Sequence, residues 1–156
     1  MRQTSPVPSK IHRVVDQTRL LGFIGYNLRR ASLRIAREYG KPMKKLGLRP
    51  AEFATLVLLQ DNPGASQKSL GGALAMDPPN MATLLDRLER AKLVQRVRHP
   101  HDERARQLQL TPAGKRLVTR AASAVDRHER QAVALFTESE KADFMRLLSK
   151  LIAAEL

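Results

Sequence analysis

The sequence predicts a mainly α (α+β) fold, helical along most of its length and interrupted once by a short pair of strands. Three observations carry this. The nine prolines, at 6, 8, 42, 50, 63, 78, 79, 100 and 112, leave four uninterrupted blocks, 9–41, 51–62, 80–99 and 113–156. Proline inside a helix costs about 3 kcal/mol, so these blocks are where helices can run. Apolar residues recur in them at steps of three and four, and only at Val94–Arg98 and Gln107–Leu110 does the period fall to two. A chain of 156 residues has room for one domain with an extension.

The elements follow in order. Leu21, Ile24, Leu28, Ala31 and Ile35 form a stripe with arginines between them, predicting one helix that Gly40 and Pro42 end. A second helix starts at Pro50, carries Phe53, Leu56 and Val57, and stops at the turn Asp61-Asn62-Pro63-Gly64. Ser66 suits an N-cap for a short third helix, which Gly71 and Gly72 weaken unless another helix packs close there. Asp77 caps the fourth, with Pro78 at its first position, where a missing N–H costs nothing. Met81, Leu84, Leu85 and Leu88 form its buried stripe, and Asn80, Thr83, Arg87 and Arg90 its exposed one. The strands at 94–98 and 107–110 flank a polar tip, 99–106, and so predict a hairpin. Thr111-Pro112 opens a long helix, and Thr137 with Glu140 forms a capping box for a last one carrying Phe144, Leu147, Leu148, Leu151 and Ile152.

Composition narrows the function. Lys and Arg number 28 against 15 Asp and Glu, a net charge of +13, which predicts a polyanionic partner. Without cysteine there is no disulfide framework, no thiolate metal site and no thiol redox switch. No apolar run reaches the roughly 20 residues that span a bilayer. The first nine residues lack the apolar core of a signal peptide, so the chain reads as cytoplasmic. Six aromatic residues are too few for stacking platforms on single strands.

Helix, tight link, helix and hairpin in that order make a winged helix-turn-helix over residues 66–110, whose second helix suits the major groove of double-stranded DNA. Only there do base edges carry a full donor and acceptor code, and Asn80, Thr83 and Arg87 are chemically suited to read it. The segment from Ser69 to Arg96 and the wing pattern of Asp102, Arg104, Leu110, Thr111 and Gly114 resemble the MarR family of transcriptional regulators, over roughly residues 20–155. The resemblance implies an obligate homodimer, a pseudo-palindromic operator and a small-molecule effector, unknown here, that loosens DNA binding. It divides the chain into a flexible arm at 1–12, a helical dimerisation region at 13–48 and 113–156, and a DNA-binding domain at 49–112. The DNA-binding set is then Ser66, Gln67, Lys68, Pro79, Asn80, Thr83, Arg87, Arg90, Arg104 and Arg106. Of these, Ser66, Gln67, Lys68, Arg90 and Arg106 hold phosphates. Arg104 enters the minor groove, oriented by Asp102. Two departures stand out: Arg49-Pro50 removes the family's threonine cap, and Lys92 replaces a glycine after the recognition helix.

Rival readings have less to stand on. In an isolated helix Arg87 and Arg90 would be solvated charges beside Asp86 and Glu89. His99 and His101 lack further ligands to complete a metal shell, so no metal or cofactor is implied. The basic N-terminal third, with 12 Lys or Arg against Asp16 and Glu38 in residues 1–50, lacks the aromatic anchors of a membrane-surface helix. No nucleophile–base pair or phosphate loop supports an enzyme. The alternative within DNA binding is an architectural protein without sequence preference. His12 and Tyr26 are candidates for the polar lining of an effector cleft.

Overall fold

The structure, a computed structural model, describes residues 15–99 and 102–153; for 38, 39, 41, 99 and 102–105 the backbone alone is described. The elements are α1 (Thr18–Leu21), α2 (Ile24–Lys45), α3 (Pro50–Asp61), α4 (Gln67–Ala73), α5 (Pro78–Arg90), β1 (Val94–His99), β2 (Asp102–Leu110), α6 (Pro112–Ala132) and α7 (Glu138–Ala153). The chain divides at Arg34/Ile35 into two units.

In the first unit the stripe expected to form one helix is split. Leu21 ends α1, and the break at Gly22-Phe23 is closed by Asn27, whose Nδ2 donates to the carbonyls of Leu21 at 2.7 Å and Phe23 at 3.0 Å. Nor does α2 end at Gly40, in the second unit. It continues through Pro42 to Lys45. Proline there forfeits one backbone hydrogen bond near the end of the helix. The following turn compensates by burying Met43 and Leu48. Gly47, at φ +69°, lets the amide of Leu48 reach the carbonyl of Met43 at 3.0 Å and its own amide reach Lys44 at 3.1 Å, a Schellman closure.

The second unit holds the core. Leu56 and Leu59 of α3, Leu70 of α4, Met81, Leu85 and Leu88 of α5, Val94, Leu108 and Leu110 of the hairpin, and Val118, Ala121 and Val125 of α6 are buried together. Each of these leucine, methionine and valine side chains contributes about 1.5–3 kcal/mol relative to exposure. α4 packs on α5, α3 on α6 and β2, and α5 on β1.

The predicted stripe of α5 is observed, with Leu84 at its half-buried edge. The hairpin is longer than the period-two signal indicated. β1 and β2 pair antiparallel from Val94↔Leu110 to Arg98↔Arg106, then His99 pairs Asp102, so residues 103–105 bulge from the ladder. Residues 99 and 102–106 of the expected loop are therefore strand, with pairing resumed at His99 and Asp102 beyond the bulge. The link between α3 and α4 adds to this sheet: the amide of Gly64 donates to Leu108 at 3.0 Å, and that of Leu108 to Ala65 at 3.4 Å.

The glycine pair does not bring α4 and α5 together as expected. A Cβ on Gly71 would meet the carbonyl oxygen of Met76, in the turn, at 3.1 Å, and a Cβ on Gly72 would meet nothing within 4 Å. Gly71 serves the turn itself.

The Thr137–Glu140 capping box forms as predicted. The amide of Thr137 donates to Glu140 Oε2 at 2.8 Å, and the amide of Glu140 to Thr137 Oγ1 at 3.2 Å. The hydrogen bonds from the Thr137 amide and hydroxyl hold the Glu140 carboxyl below the ordinary carboxylate range. Leu135, Met145, Leu147, Leu151 and Ile152 remain exposed, Leu135 and Ile152 by more than four-fifths.

Candidate nucleic-acid interface

The helix-turn-helix is built from three local devices. Ser66 Oγ accepts from the amide of Ser69 at 3.1 Å and starts α4. Asp77 Oδ1 accepts from the amide of Asn80 at 2.9 Å and starts α5. Between them Ala75, at φ +47°, closes α4 with bonds from Ala75 to Gly72 at 3.3 Å and from Met76 to Gly71 at 2.9 Å. Gln67 Nε2 lies 3.5 Å from the carbonyl oxygen of Pro78, across the turn.

Most of the predicted residues are exposed, and three of them share a cleft. Ser66, Lys68, Pro79, Asn80, Thr83, Arg87, Arg90 and Arg106 are exposed, and Gln67 is half-buried. Asn80 Nδ2 donates to Asp77 Oδ2 at 2.7 Å, which orients the amide and directs its carbonyl oxygen elsewhere. Thr83 Oγ1 donates back to the carbonyl of Pro79 at 3.0 Å. Asn80, Thr83 and Arg87 line one cleft of about 290 Å³ together with Arg49, Glu52 and Leu84.

Two acidic contacts escaped the sequence reading. Arg87 Nε donates to Glu52 Oε1 at 2.8 Å. Glu52 is 3% exposed, and its other oxygen, Oε2, accepts from the amide of Arg49 at 2.8 Å. The missing threonine cap of α3 is thus partly replaced from the third helical position. Arg96 Nε pairs with Glu89 at 2.9 Å and its terminal nitrogen with Asp86 at 3.6 Å, joining β1 to α5. A glutamate three residues after Arg49 was the available signal for the cap; neither ion pair had one.

The end of α5 is tied to the start of α6. The amide of Leu93 donates to Leu88 at 3.0 Å and that of Lys92 to Glu89 at 2.8 Å, with Lys92 at φ +56° in the left-handed position that glycine fills at lower cost. Thr111 donates its amide to the Leu93 carbonyl at 3.0 Å and its hydroxyl to the Lys92 carbonyl at 2.7 Å, while its oxygen caps Gly114 at 3.0 Å. A Cβ on Gly114 would collide with the Leu93 carbonyl oxygen. The wing motif's threonine and glycine therefore make the junction between the recognition helix and α6.

Arg104 and Asp102 lie on β2, with only their backbone described, and His12 and His101 lie outside the described residues. Tyr26 is half-buried, with the Arg30 guanidinium 5.7 Å from its ring centre. A cleft of about 690 Å³ opens between the end of α2 and α6, lined by Lys45, Leu46, Ser123, Arg127 and His128 among others. The buried Nδ1 of His128 has no hydrogen-bond partner. Among the described residues no group of three or more acids and histidines is placed to hold a metal, and no helix is long and apolar enough to cross a membrane.

A short helix, a tight turn, an exposed polar helix and a hairpin wing define a winged helix-turn-helix protein of the transcription-regulator class. Comparison places it more closely. The MarR family model matches residues 48–105. The HTH-type transcriptional repressor Rv2887 of Mycobacterium tuberculosis is 31% identical over 128 residues, 82% of this chain and 92% of that protein. The transcriptional repressor CouR bound to a 23-mer DNA duplex matches with a TM-score of 0.83 and 31% identity, over 89% of this chain and 99% of CouR. CouR bound to p-coumaroyl-CoA matches with a TM-score of 0.80 and 30% identity, over 91% of this chain and all of CouR. The chain belongs to the MarR family of transcriptional regulators.

Proposed function

We propose that this protein is a cytoplasmic, homodimeric repressor that binds a pseudo-palindromic duplex sequence and is released by a small-molecule ligand. The observation that carries the DNA reading is the exposed face of α5, with Asn80, Thr83, Arg87 and Arg90 above a sealed apolar stripe in a chain of net charge +13. Asn80, Thr83 and Arg87 read base edges. Ser66, Gln67, Lys68, Arg90 and Arg106 hold phosphates, with Pro79 beside them at the helix start. Arg104 enters the minor groove, kept in place by Asp102. The two-domain plan is 49–112 for DNA and 13–48 with 113–156 for the dimer, after an arm at 1–12. The exposed apolar residues of α7 support the dimer, since a surface of that kind is normally covered. The DNA-bound and ligand-bound CouR structures support both halves of the switch by likeness. The protein's work is binding, and no catalytic role is assigned to any residue.

The test is selection of duplexes from a random pool, followed by competitor titration. Enrichment of an inverted repeat, with half-sites about 10–10.5 base pairs apart, is the expected result. Equal displacement by every duplex would make the protein an architectural DNA coat instead.

A further inference from the structure

We infer that Glu52, on α3, is a specificity-determining positioning residue: it fixes the plane of the Arg87 guanidinium so that only its two terminal nitrogens face the DNA. This rests on the reading that Arg87 contacts bases.

The argument starts from the cost of the arrangement. A carboxylate 3% exposed is expensive to bury, and it persists in a fold only when its oxygens are satisfied. Here both are. Oε2 takes the amide of Arg49, which completes the start of α3. That role needs one oxygen only, and capping-box glutamates ordinarily meet it at the surface. Oε1 takes Nε of Arg87, a residue of a different helix whose side chain is 43% exposed. A buried acid thus reaches from the core to an arginine on the face that carries Asn80 and Thr83.

The chemistry of the guanidinium turns this into selectivity. It has five N–H donors in a rigid fork, and it can present two parallel donors either side-on, through Nε and one terminal nitrogen, or end-on, through both terminal nitrogens. With Nε–H engaged by Glu52, the side-on edge is occupied and the end-on edge is free. The end-on pair matches O6 and N7 of guanine in the major groove. A flexible arginine would instead lose rotamer freedom on binding and would serve phosphates as readily as bases. Glu52 also places a negative charge behind Arg87, which lowers its attraction for backbone phosphate without reaching the bases. The pair therefore trades affinity for any duplex against preference at one base pair in each half-site.

The experiment uses the full-length protein and the duplex it enriches from a random pool, with each half-site base pair changed in turn and a random duplex as competitor. Glu52→Gln keeps shape and removes charge. Its expected effects are an operator affinity lower by about tenfold, a random-duplex affinity equal or higher, and loss of preference at the same G·C pair at which Arg87→Ala loses it. In the Arg87→Ala background, Glu52→Gln should change that preference no further. Arg87→Lys, which leaves Glu52 in place and supplies charge without a fork, should keep random-duplex affinity and lose the preference; Glu52→Asp, which keeps the charge but shortens the reach to Arg87 Nε, should lose the preference too while random-duplex affinity holds, and it decides the matter if Glu52→Gln does not fold. A Glu52→Gln protein that keeps the preference, weakens both duplexes equally, or binds the operator more tightly overturns the inference while DNA recognition stands. So does an Arg87→Lys or a Glu52→Asp protein that keeps the preference. If Arg87→Ala costs preference nowhere, the assignment of Arg87 falls with it. If no sequence is enriched, the repressor reading itself fails.

Discussion

Gly114→Ala should disrupt the junction between recognition helix and α6 at a cost of about 3 kcal/mol, the upper end of the roughly 1–3 kcal/mol that overpacking costs, because the obstacle is backbone. The new Cβ would lie against the Leu93 carbonyl oxygen, far inside van der Waals contact, and 3.4 Å from Cδ2 of Leu110. The obstacle is main chain, so it cannot swing aside as a side-chain tip can. Relief requires the first turn of α6 to withdraw, and that turn is held by three bonds: Thr111 N to Leu93 at 3.0 Å, Thr111 Oγ1 to Lys92 at 2.7 Å, and Gly114 N to Thr111 Oγ1 at 3.0 Å. Gly72→Ala is the control. Its Cβ would meet nothing within 4 Å, so the same change in a helix should stabilise by about 0.5–1 kcal/mol. Urea unfolding followed by circular dichroism, at one fixed protein concentration so that any association is held constant, measures both. A melting temperature lower by about 6–12 °C should accompany the Gly114 change, at about 2–4 °C per kcal/mol. A Gly114→Ala protein within about 1 kcal/mol of the parent would refute the reasoning, since bonds that strained cannot cost so little.

Lys92→Gly should stabilise by about 0.5–1 kcal/mol, since a side chain at φ +56° is strained; a loss in the same unfolding assay would show that Lys92 contributes contacts instead. Thr137 lowers the Glu140 pKa in the folded state, so its stabilising effect on α7 is present above the ordinary carboxylate range and disappears as pH falls through the lowered value. Glu140→Gln should therefore flatten the acid-side fall in helicity, as followed by circular dichroism from pH 6 downward, and an unchanged profile would count against the cap's role. Lys68→Ala should weaken operator and random duplexes alike and reduce the salt slope by about one per protomer, read from titrations at several salt concentrations.

The parts of the fold that were legible in sequence are those with local causes. Ser66, Asp77, Thr111 and Thr137 each cap a helix through an amide three residues on, so a four-residue window contains the whole interaction. The stripe of α5 was legible because one buried face repeats at the helical period. What was not legible depends on distant partners. Pro42 remains helical because Met43 and Leu48 reach the core, and no local rule contains that. Gly71 accommodates a carbonyl of the turn rather than a second helix, which spacing alone does not distinguish. The strands run into the polar tip because ladder bonds are indifferent to side-chain polarity. At the candidate site the exposed face of α5 was visible, whereas Glu52–Arg87 and the Arg96 pairs join different elements and needed the fold.

The single carbonyl of Leu93 has a mechanical consequence. It accepts from the amide of Thr111 at 3.0 Å, while the Thr111 hydroxyl donates to the adjoining Lys92 carbonyl at 2.7 Å, and so the end of α5 is joined to the root of a 21-residue helix. At 1.5 Å per residue, α6 is a lever about 30 Å long. A lever of that length, pivoting as a rod, converts a displacement of about 2.5 Å at Ala132 into a turn of roughly 5° at Thr111. Hydrogen bonds to base edges depend steeply on angle, whereas ionic contacts to phosphate tolerate it. Movement at the distal end would thus be geared down in distance yet delivered to α5 as rotation, the component to which sequence reading is most sensitive.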